Sequence, residues 1–531
     1  MSGVILFKKI IFALIIFLVF LGISCIYAED NSTDLNPLEK SSSTIKVDLD
    51  SFSAFQKEIK DAKPNSKLYL KHSYKYKKNQ DSSLKNGVVI NKDLTIVGKN
   101  GCTIDGSGIA RCLRIKEGCS VTLQNIKIKN GYSTAGGAGI KAYSNSKVNI
   151  KNCEFTNNVA KNSNGGAIDA MKSCTIKIYS STFKNNKAIR TSKLPWEKDK
   201  CGMGSAIKTS IGTKIMISKS NFKSNTAYLS TILVVSFSNS VKKTSSLDVN
   251  KCVFSKNKSQ HNGVIYLDEY GKCIIKSSVF SKNRSIKGAG TVVLESSINS
   301  LVKDCVFYKN RGLNGAAINI KIYSKKDNSN VNILDCKFNR NVASMYGGAI
   351  CSVGGTFKVK NSQFNLNRAS IFGGGIYARL GKLTMFSSKF YKNTARYAGG
   401  LCLACKKSSV KQCSITKNKA YYLYGAVYNI EHNKLSKCHI KSNKVLKYSK
   451  ISLYKSGKYI KVKIYDNKDK PIKKQVKLTF KGAKKIKTKW YKTSDKKFKK
   501  IKIPKSIKGN YKVSIQVKKA RYFSKSIIIK V

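Results

Sequence analysis

The phrase Phe-x-x-Asn recurs down the middle of this chain and constrains its architecture more than any other feature. It stands at Phe155/Asn158, Phe183/Asn186, Phe222/Asn225, Phe254/Asn257, Phe280/Asn283, Phe307/Asn310, Phe338/Asn341, Phe364/Asn367 and Phe390/Asn393. Two further copies carry Ile in place of Phe, at Ile415/Asn418 and Ile440/Asn443. From Phe338 to Ile440 successive copies lie 26, 26, 25 and 25 residues apart, and an earlier interval stretches to 39. A repeat of this length is the mark of a solenoid. The residues inside each period are mostly β-formers, so each period is expected to be one coil of a parallel β-helix rather than a helix pair.

A second phrase fixes the register. Small residues lead to an aliphatic about ten residues after most of the asparagines, as in Gly165-Gly166-Ala167-Ile168, Gly315-Ala316-Ala317-Ile318 and Gly347-Gly348-Ala349-Ile350. Glycine reaches backbone angles closed to other residues and so turns a corner. Ala and Ile then point inward, Phe lines another wall, and stacked Asn side chains bond the backbone of the neighbouring coil. Roughly thirteen coils, at about 4.8 Å per strand spacing, predict a rod on the order of 60 Å long.

The ends read differently. In residues 1–28, Lys8 and Lys9 precede an apolar run from Ile10 to Ile23, and Ala28 offers a small residue for cleavage. That is the layout of a secretory signal peptide; an uncleaved anchor is the alternative. Residues 29–48 are polar and Ser-rich, a flexible lead-in. Phe52, Phe55 and Ile59 then fall at helical spacing, which predicts a short helix capping the open end of the solenoid. The first coils are read from Val88 to Ile128, and the β-helix spans 49–445. Residues 446–531 hold 30 Lys and Arg against Asp466, Asp469 and Asp495, in short runs that alternate apolar and basic residues. This tail predicts a small β-sandwich.

Charge is the strongest chemical signal. Lys and Arg number 101 against 27 Asp and Glu, a formal net charge of +74. Such a chain binds polyanions at low salt. For a secreted protein these are acidic glycans, wall polymers or the surfaces of other cells. Nucleic acid is not expected as the natural partner, because no nucleic-acid-binding motif is present. Candidate ligand contacts are Trp196, in the insertion Ile189–Cys201 that interrupts the period, and Trp490 and Tyr491 in the tail, with Tyr459 and Tyr511 interleaved among its lysines.

Sixteen cysteines are present. Cys153, Cys252, Cys305, Cys336, Cys413 and Cys438 share one repeat position, which Ser181, Ser220, Ser278, Ser362 and Ser388 fill in other coils. Exchange with Ser points to small, buried, reduced thiols, although disulfides among Cys102, Cys112 and Cys119 stay open. Cys402-x-x-Cys405 has metal-pair spacing without a second pair or a nearby His, so no metal and no cofactor is expected. Of three sequons, Asn257 and Asn283 are repeat asparagines and only Asn31 is a credible acceptor. Glycan cleavage needs paired carboxylates. The acids Asp105, Asp169, Asp268, Glu269 and Glu295 are scattered over different coils, and no catalytic residue is assigned.

The Phe-x-x-Asn and Gly-Gly-Ala-Ile phrases resemble the repeats of polymorphic outer-membrane proteins and of adhesin-like surface proteins of methanogenic archaea. The stretch from Asp93 to Gly131 resembles the opening coils of the pectin-lyase-like superfamily. The tail is similar to the bacterial-type immunoglobulin-like domains that end those archaeal proteins. The resemblance implies an all-β chain: a right-handed parallel β-helix, then an immunoglobulin-like β-sandwich. It also implies a secreted, wall-associated adhesin-like protein, and the sparse carboxylates argue against an enzyme. A wall-coating component without a receptor is the first alternative, and a polysaccharide lyase or hydrolase the second.

Overall fold

The computed structural model describes residues 48–99, 101–191, 201–236, 244–268, 270–322, 330–405, 407–431 and 433–445, and in the tail 450–465, 471–473, 475–481, 485–494, 496–504, 506, 509–517 and 526–530. The expected signal segment and most of the lead-in lie outside these residues, as does Trp196.

Residues 67–445 form a parallel β-helix of four sheets. Sheet I has 13 strands, from Val88–Ile90 to Val427–Asn429. Sheet II has 14, from Lys67–Leu70 to Lys434–Ser436, and sheet III has 14, from Tyr74–Lys75 to His439–Lys441. Sheet IV has 12, from Tyr132–Ser133 to Lys444–Val445. From Leu113 onward the chain visits I, II, III and IV once per coil; the coils before it lack a strand in IV. The first strands, Lys67–Leu70 and Tyr74–Lys75, precede the expected start at Val88, because the lysines of this stretch hide its alternation.

Side chains of one type stack along the axis. The Phe rings from Phe155 to Phe390 lie in the core with centroids 4.5 to 5.1 Å apart and planes within 11° of parallel. Such offset stacks add to the burial of the rings themselves. The small residue opposite is a steric requirement: a Cβ on Gly375 would meet the Phe390 ring at 2.7 Å.

The asparagines form a second, polar ladder. Asn310 Nδ2 donates to Phe280 O at 2.9 Å on one side and to Asn341 Oδ1 at 3.0 Å on the other. Its own Oδ1 accepts from Asn283 N and Nδ2 at 3.1 and 3.0 Å. The same pattern runs from Asn158 to Asn443. Because its side-chain amides are hydrogen-bonded, the ladder is tolerated at 0 to 1% exposure from Asn158 to Asn418. Asn257 and Asn283 are buried members, so neither sequon offers an acceptor in the folded chain.

Glycine accounts for only part of the corners. It takes left-handed backbone at Gly165, Gly204, Gly315, Gly347 and Gly373, but Ala398 and Tyr424 occupy that position in later coils. Two further left-handed residues occur in most coils, immediately before the Cys/Ser and the Asn ladders. Asp304 and Lys309, and Asp335 and Arg340, are examples. Such backbone is uncommon outside glycine. The ladder bonds made by the following residue hold it in place.

The predicted helix is present at Phe52–Asp61, with Phe52, Phe55 and Ile59 buried and Ser51 Oγ capping Ala54 N. Buried Asp81 accepts from Phe52 N, Ser53 N and Lys77 N. Gln56 exchanges two hydrogen bonds with Val89, accepting from its N at 2.7 Å and donating to its O at 3.0 Å. Its amide thus stands in for the missing next strand and blocks an open edge.

The tail consists of two antiparallel sheets around one apolar core. One pairs Lys450–Ser456, Tyr459–Tyr465, Pro471–Ile472 and Lys499–Lys502, and the other is centred on Gln475–Lys481 and Asn510–Val517. Alternation puts Ile460, Val462, Ile464, Leu478, Phe480 and Val513 inside and the lysines outside.

The ladder yields a graded prediction. Asn310→Ala strands Phe280 O and both donors of Asn283, at a cost of about 3 kcal/mol or more. Asn443→Ala, at the partly exposed end, is expected to cost about 1 kcal/mol or less. Thermal unfolding of the two variants should rank them in that order.

Candidate polyanion-binding site

Each buried Asn holds its two neighbours at the outside corner between sheets III and IV. The left-handed residue before it projects outward, and so does the first sheet IV residue after it. In the preceding position stand Lys256, Lys282, Lys309, Arg340, Leu366, Lys392 and Lys417 on successive coils, and all are exposed. In the following position Lys258, Arg284 and Arg311 are direct register partners. Val342, Arg368, Thr394, Lys419 and Lys444 continue that row, and where it is neutral Arg340 and Lys392 supply the charge from the preceding position.

Among the described residues, neither row holds an Asp or Glu between Thr226 and Lys444. The matching left-handed row before the Cys/Ser ladder is mixed, with Asp304 and Asp335 beside Lys251 and Lys437. The basic character is therefore a property of one corner, not of left-handed positions in general. Like charges set side by side at about 4.8 Å oppose folding. The stripe thus carries a charge that the fold itself does not need.

Two tyrosines sit in the stripe. Lys309 Nζ lies 4.9 Å from the Tyr308 ring centroid, and Lys392 and Lys417 lie 5.0 and 5.6 Å from that of Tyr391. Hydrogen bonds from Lys309 and Lys392 draw the two phenols below their ordinary pKa. At its C-terminal end the stripe borders a shallow groove of about 570 Å³ lined by Leu366, Lys392, Thr394, Lys417, Lys419, Ser442 and Lys444.

The tail carries further cross-strand lysines, on each of its two sheets. Lys461 lies directly opposite Lys500, Tyr459 opposite Lys502, and Lys481 opposite Lys512. Lys461 and Lys463 lie over the rings of Tyr454 and Phe498, at 5.8 and 5.2 Å. Of the expected contacts here, Trp490 is 37% exposed and Tyr459 39%. Tyr491 packs against the tail core, with Lys499 5.7 Å from its ring, and Tyr511 is buried within that core. For Tyr511 the expectation of a surface contact is corrected: its strand turns that position inward.

The acids are less scattered than the sequence suggested. On the outward face of sheet I, Tyr266 Oη lies 2.6 Å from Glu295 Oε2 and 3.1 Å from Asp268 Oδ1, and Lys321 Nζ is 2.9 Å from Glu295 Oε1. Residues 27 apart in sequence meet because they sit one coil apart. One phenolic proton serves two carboxylates, and Glu295 is 2% exposed. Asp105 behaves as read, bonding Ser107 N and Asn130 Nδ2 in its turn. Glu269 lies outside the described residues.

The fifteen cysteines from Cys102 onward are free thiols. In the Cys/Ser ladder the small polar atom caps the backbone: Cys153 N donates to Ser181 Oγ at 3.1 Å, and the Cys153 thiol donates to Lys151 O. Cys402 and Cys405 are both buried, and Cys405 Sγ meets Ser408 Oγ at 3.0 Å. No group of three or more His, Cys, Asp or Glu suited to a metal occurs among the described residues.

A family model described as a right handed beta helix region matches residues 81–299. The fold is a right-handed parallel β-helix of the pectin-lyase-like kind. Comparison with curated proteins and with solved structures gives no match. Such β-helices carry enzymes and binding proteins alike, so function has to be argued from the sites. No helix among the described residues is long and apolar enough to cross a membrane.

Burial raises the thiols, to about 11 at Cys153, Cys252 and Cys413 and to about 12 at Cys351 and Cys402. An unfolded thiol ionises near 8.5. These groups therefore stabilise the fold fully below that pH, and the contribution is lost as pH climbs through 11 to 12. At pH 8 a maleimide should label half-exposed Cys438 before any other described thiol, with the rest reacting only on unfolding. Rapid native labelling of Cys153 or Cys351 would contradict this.

Proposed function

We propose that this is a surface protein of adhesin type that binds acidic glycans or anionic wall polymers, and through them other cells. The observation that carries the reading is the acid-free cationic stripe, whose charges recur once per coil. A repeating cation row suits a repeating polyanion, because each added coil adds a weak contact at high effective concentration. The tail is read as an immunoglobulin-like domain, supported by its two antiparallel sheets and shared core. Its facing lysines are a second anchor. The apolar run in residues 1–28, read as a signal peptide, supports a secreted location, and the basic surface supports association with an anionic wall.

A second reading, glycan hydrolysis, is favoured by one observation. Asp268 and Glu295 lie on adjacent coils within reach of one hydroxyl, and paired carboxylates are the machinery of glycosidases. Binding is preferred, because Glu295 is buried and both its oxygens are engaged.

The full chain should bind a polyuronate at about 0.05 M salt and lose most of that binding at about 1 M, where the screening length is roughly 3 Å. Lys309→Gln/Lys392→Gln/Lys417→Gln should weaken binding at least tenfold with little change in thermal stability. The same incubations should release no reducing ends. Release that disappears in Glu295→Gln would replace the binding reading with hydrolysis. A stripe variant that binds as well as wild type would remove the stripe from it.

A further inference from the structure

The outward face of sheet I holds a different concentration of charge. Arg114, Lys141, Asp169 and Lys208 occupy one row on four successive coils. Lys141 Nζ bonds Asp169 Oδ2, and Lys208 Nζ lies 3.4 Å from Asp169 Oδ1. The three side chains are only 16, 4 and 18% exposed. Arg114 is different. Its Nε is buried without a hydrogen-bond partner, and no described residue forms an ion pair with its guanidinium.

Behind this row sits another guanidinium. Arg111, 4% exposed, donates to Gly136 O, Gly137 O, Asn86 O and Ser133 Oγ. All its acceptors are neutral, so its charge is not cancelled. Burial, with the charge of Arg114 adding to it, holds its pKa below the ordinary value. The same turn closes the row from one side, because a Cβ on Gly136 would meet Asp169 Oδ2 at 2.4 Å.

The row thus sets three cations against one carboxylate, which pairs with the two lysines and not with Arg114, and Arg111 adds a fourth positive charge behind it. A buried or half-buried charge without a partner is costly. Two other buried charges meet that cost with partners: Asp81 takes three backbone donors, and Lys321 meets Glu295. An unpaired guanidinium beside the half-buried ammonium group of Lys141 is what an incoming oxyanion needs. Its planar fork matches the two oxygens of a carboxylate or sulfate.

We propose that Arg114, with its row neighbour Lys141, forms an oxyanion subsite that takes the carboxylate or sulfate group of an acidic glycan. The subsite deepens the polyanion reading and rests on it for the nature of the carrier. It differs from the stripe in kind: one shaped, half-buried contact rather than many exposed ones. Asp169 is its internal competitor, holding Lys141 in place while opposing the ligand's charge.

The test uses the full chain, a short uronate oligosaccharide, a short sulfated oligosaccharide and a long polyuronate, with binding followed by titration calorimetry at about 0.3 M salt. Loss of a charge-assisted bidentate contact is worth roughly tenfold or more in affinity. Arg114→Gln should cost the short ligands that much while its thermal midpoint stays level or rises, since an unpaired cation has been removed. Arg114→Lys, which keeps the charge but not the fork, should fall between. Asp169→Asn should bind the short ligands more tightly than wild type, an outcome that loss of structure would not give. Preference between the two short ligands tells carboxylate from sulfate. Short-ligand binding unchanged in both Arg114 variants overturns the subsite, as does weaker binding by Asp169→Asn in a folded protein. If wild type binds the long polymer but neither short ligand, the subsite fails and the polyanion reading stands. If wild type binds no polyanion at all, both fail.

Discussion

The asparagine ladder is the interaction on which the rest of this structure depends. Hydrophobic stacking makes coils stick, but it does not specify how one coil sits on the next. The ladder does. Each Asn reaches down to a carbonyl and across to the next Asn, so a slip of one residue would strand donors and acceptors in the core. The cost of unpaired buried polar groups is what fixes the register.

From that constraint the surface chemistry follows. To place Asn inside, the residue before it takes left-handed backbone and the one after it begins a new strand. Both neighbours are thrown outward at the same corner in every coil. Whatever the sequence puts there is copied along the axis at the strand spacing. This chain puts Lys and Arg there, and accepts the repulsion between them. The Cys/Ser ladder builds an equivalent corner, yet its outer row is mixed in charge. The contrast between two corners of the same geometry separates a chosen charge from a merely solvated face.

The ladders themselves were legible in the sequence, because Phe, Asn, Cys and Ser each recur at one fixed place. So was the capping helix, from Phe52, Phe55 and Ile59. What stayed hidden depended on which coil lies beside which. Asp268 and Glu295 look remote along the chain and meet because one coil separates them. The Arg114 row is invisible for the same reason: its members come from coils of unequal length, and loops break their spacing. The Gly136 and Gly165 corners suggested glycine as the turning residue. The more frequent left-handed Lys, Ser and Asn carry no such signal, since ladder bonds made by the next residue impose their conformation. Tyr511 misled because alternation in the tail strands permits either face outward until a partner sheet is known.

Lysine reactivity, mapped by acetylation and mass spectrometry with and without a bound polyuronate, tests the central claim most directly. Protection concentrated at Lys256, Lys282, Lys309, Lys392 and Lys417, with Lys461 and Lys500 in the tail, is the result the structure predicts. Protection spread evenly over the exposed lysines, or centred on Lys251 and Lys437 at the other corner, would contradict it and leave the charge as a coat without a site.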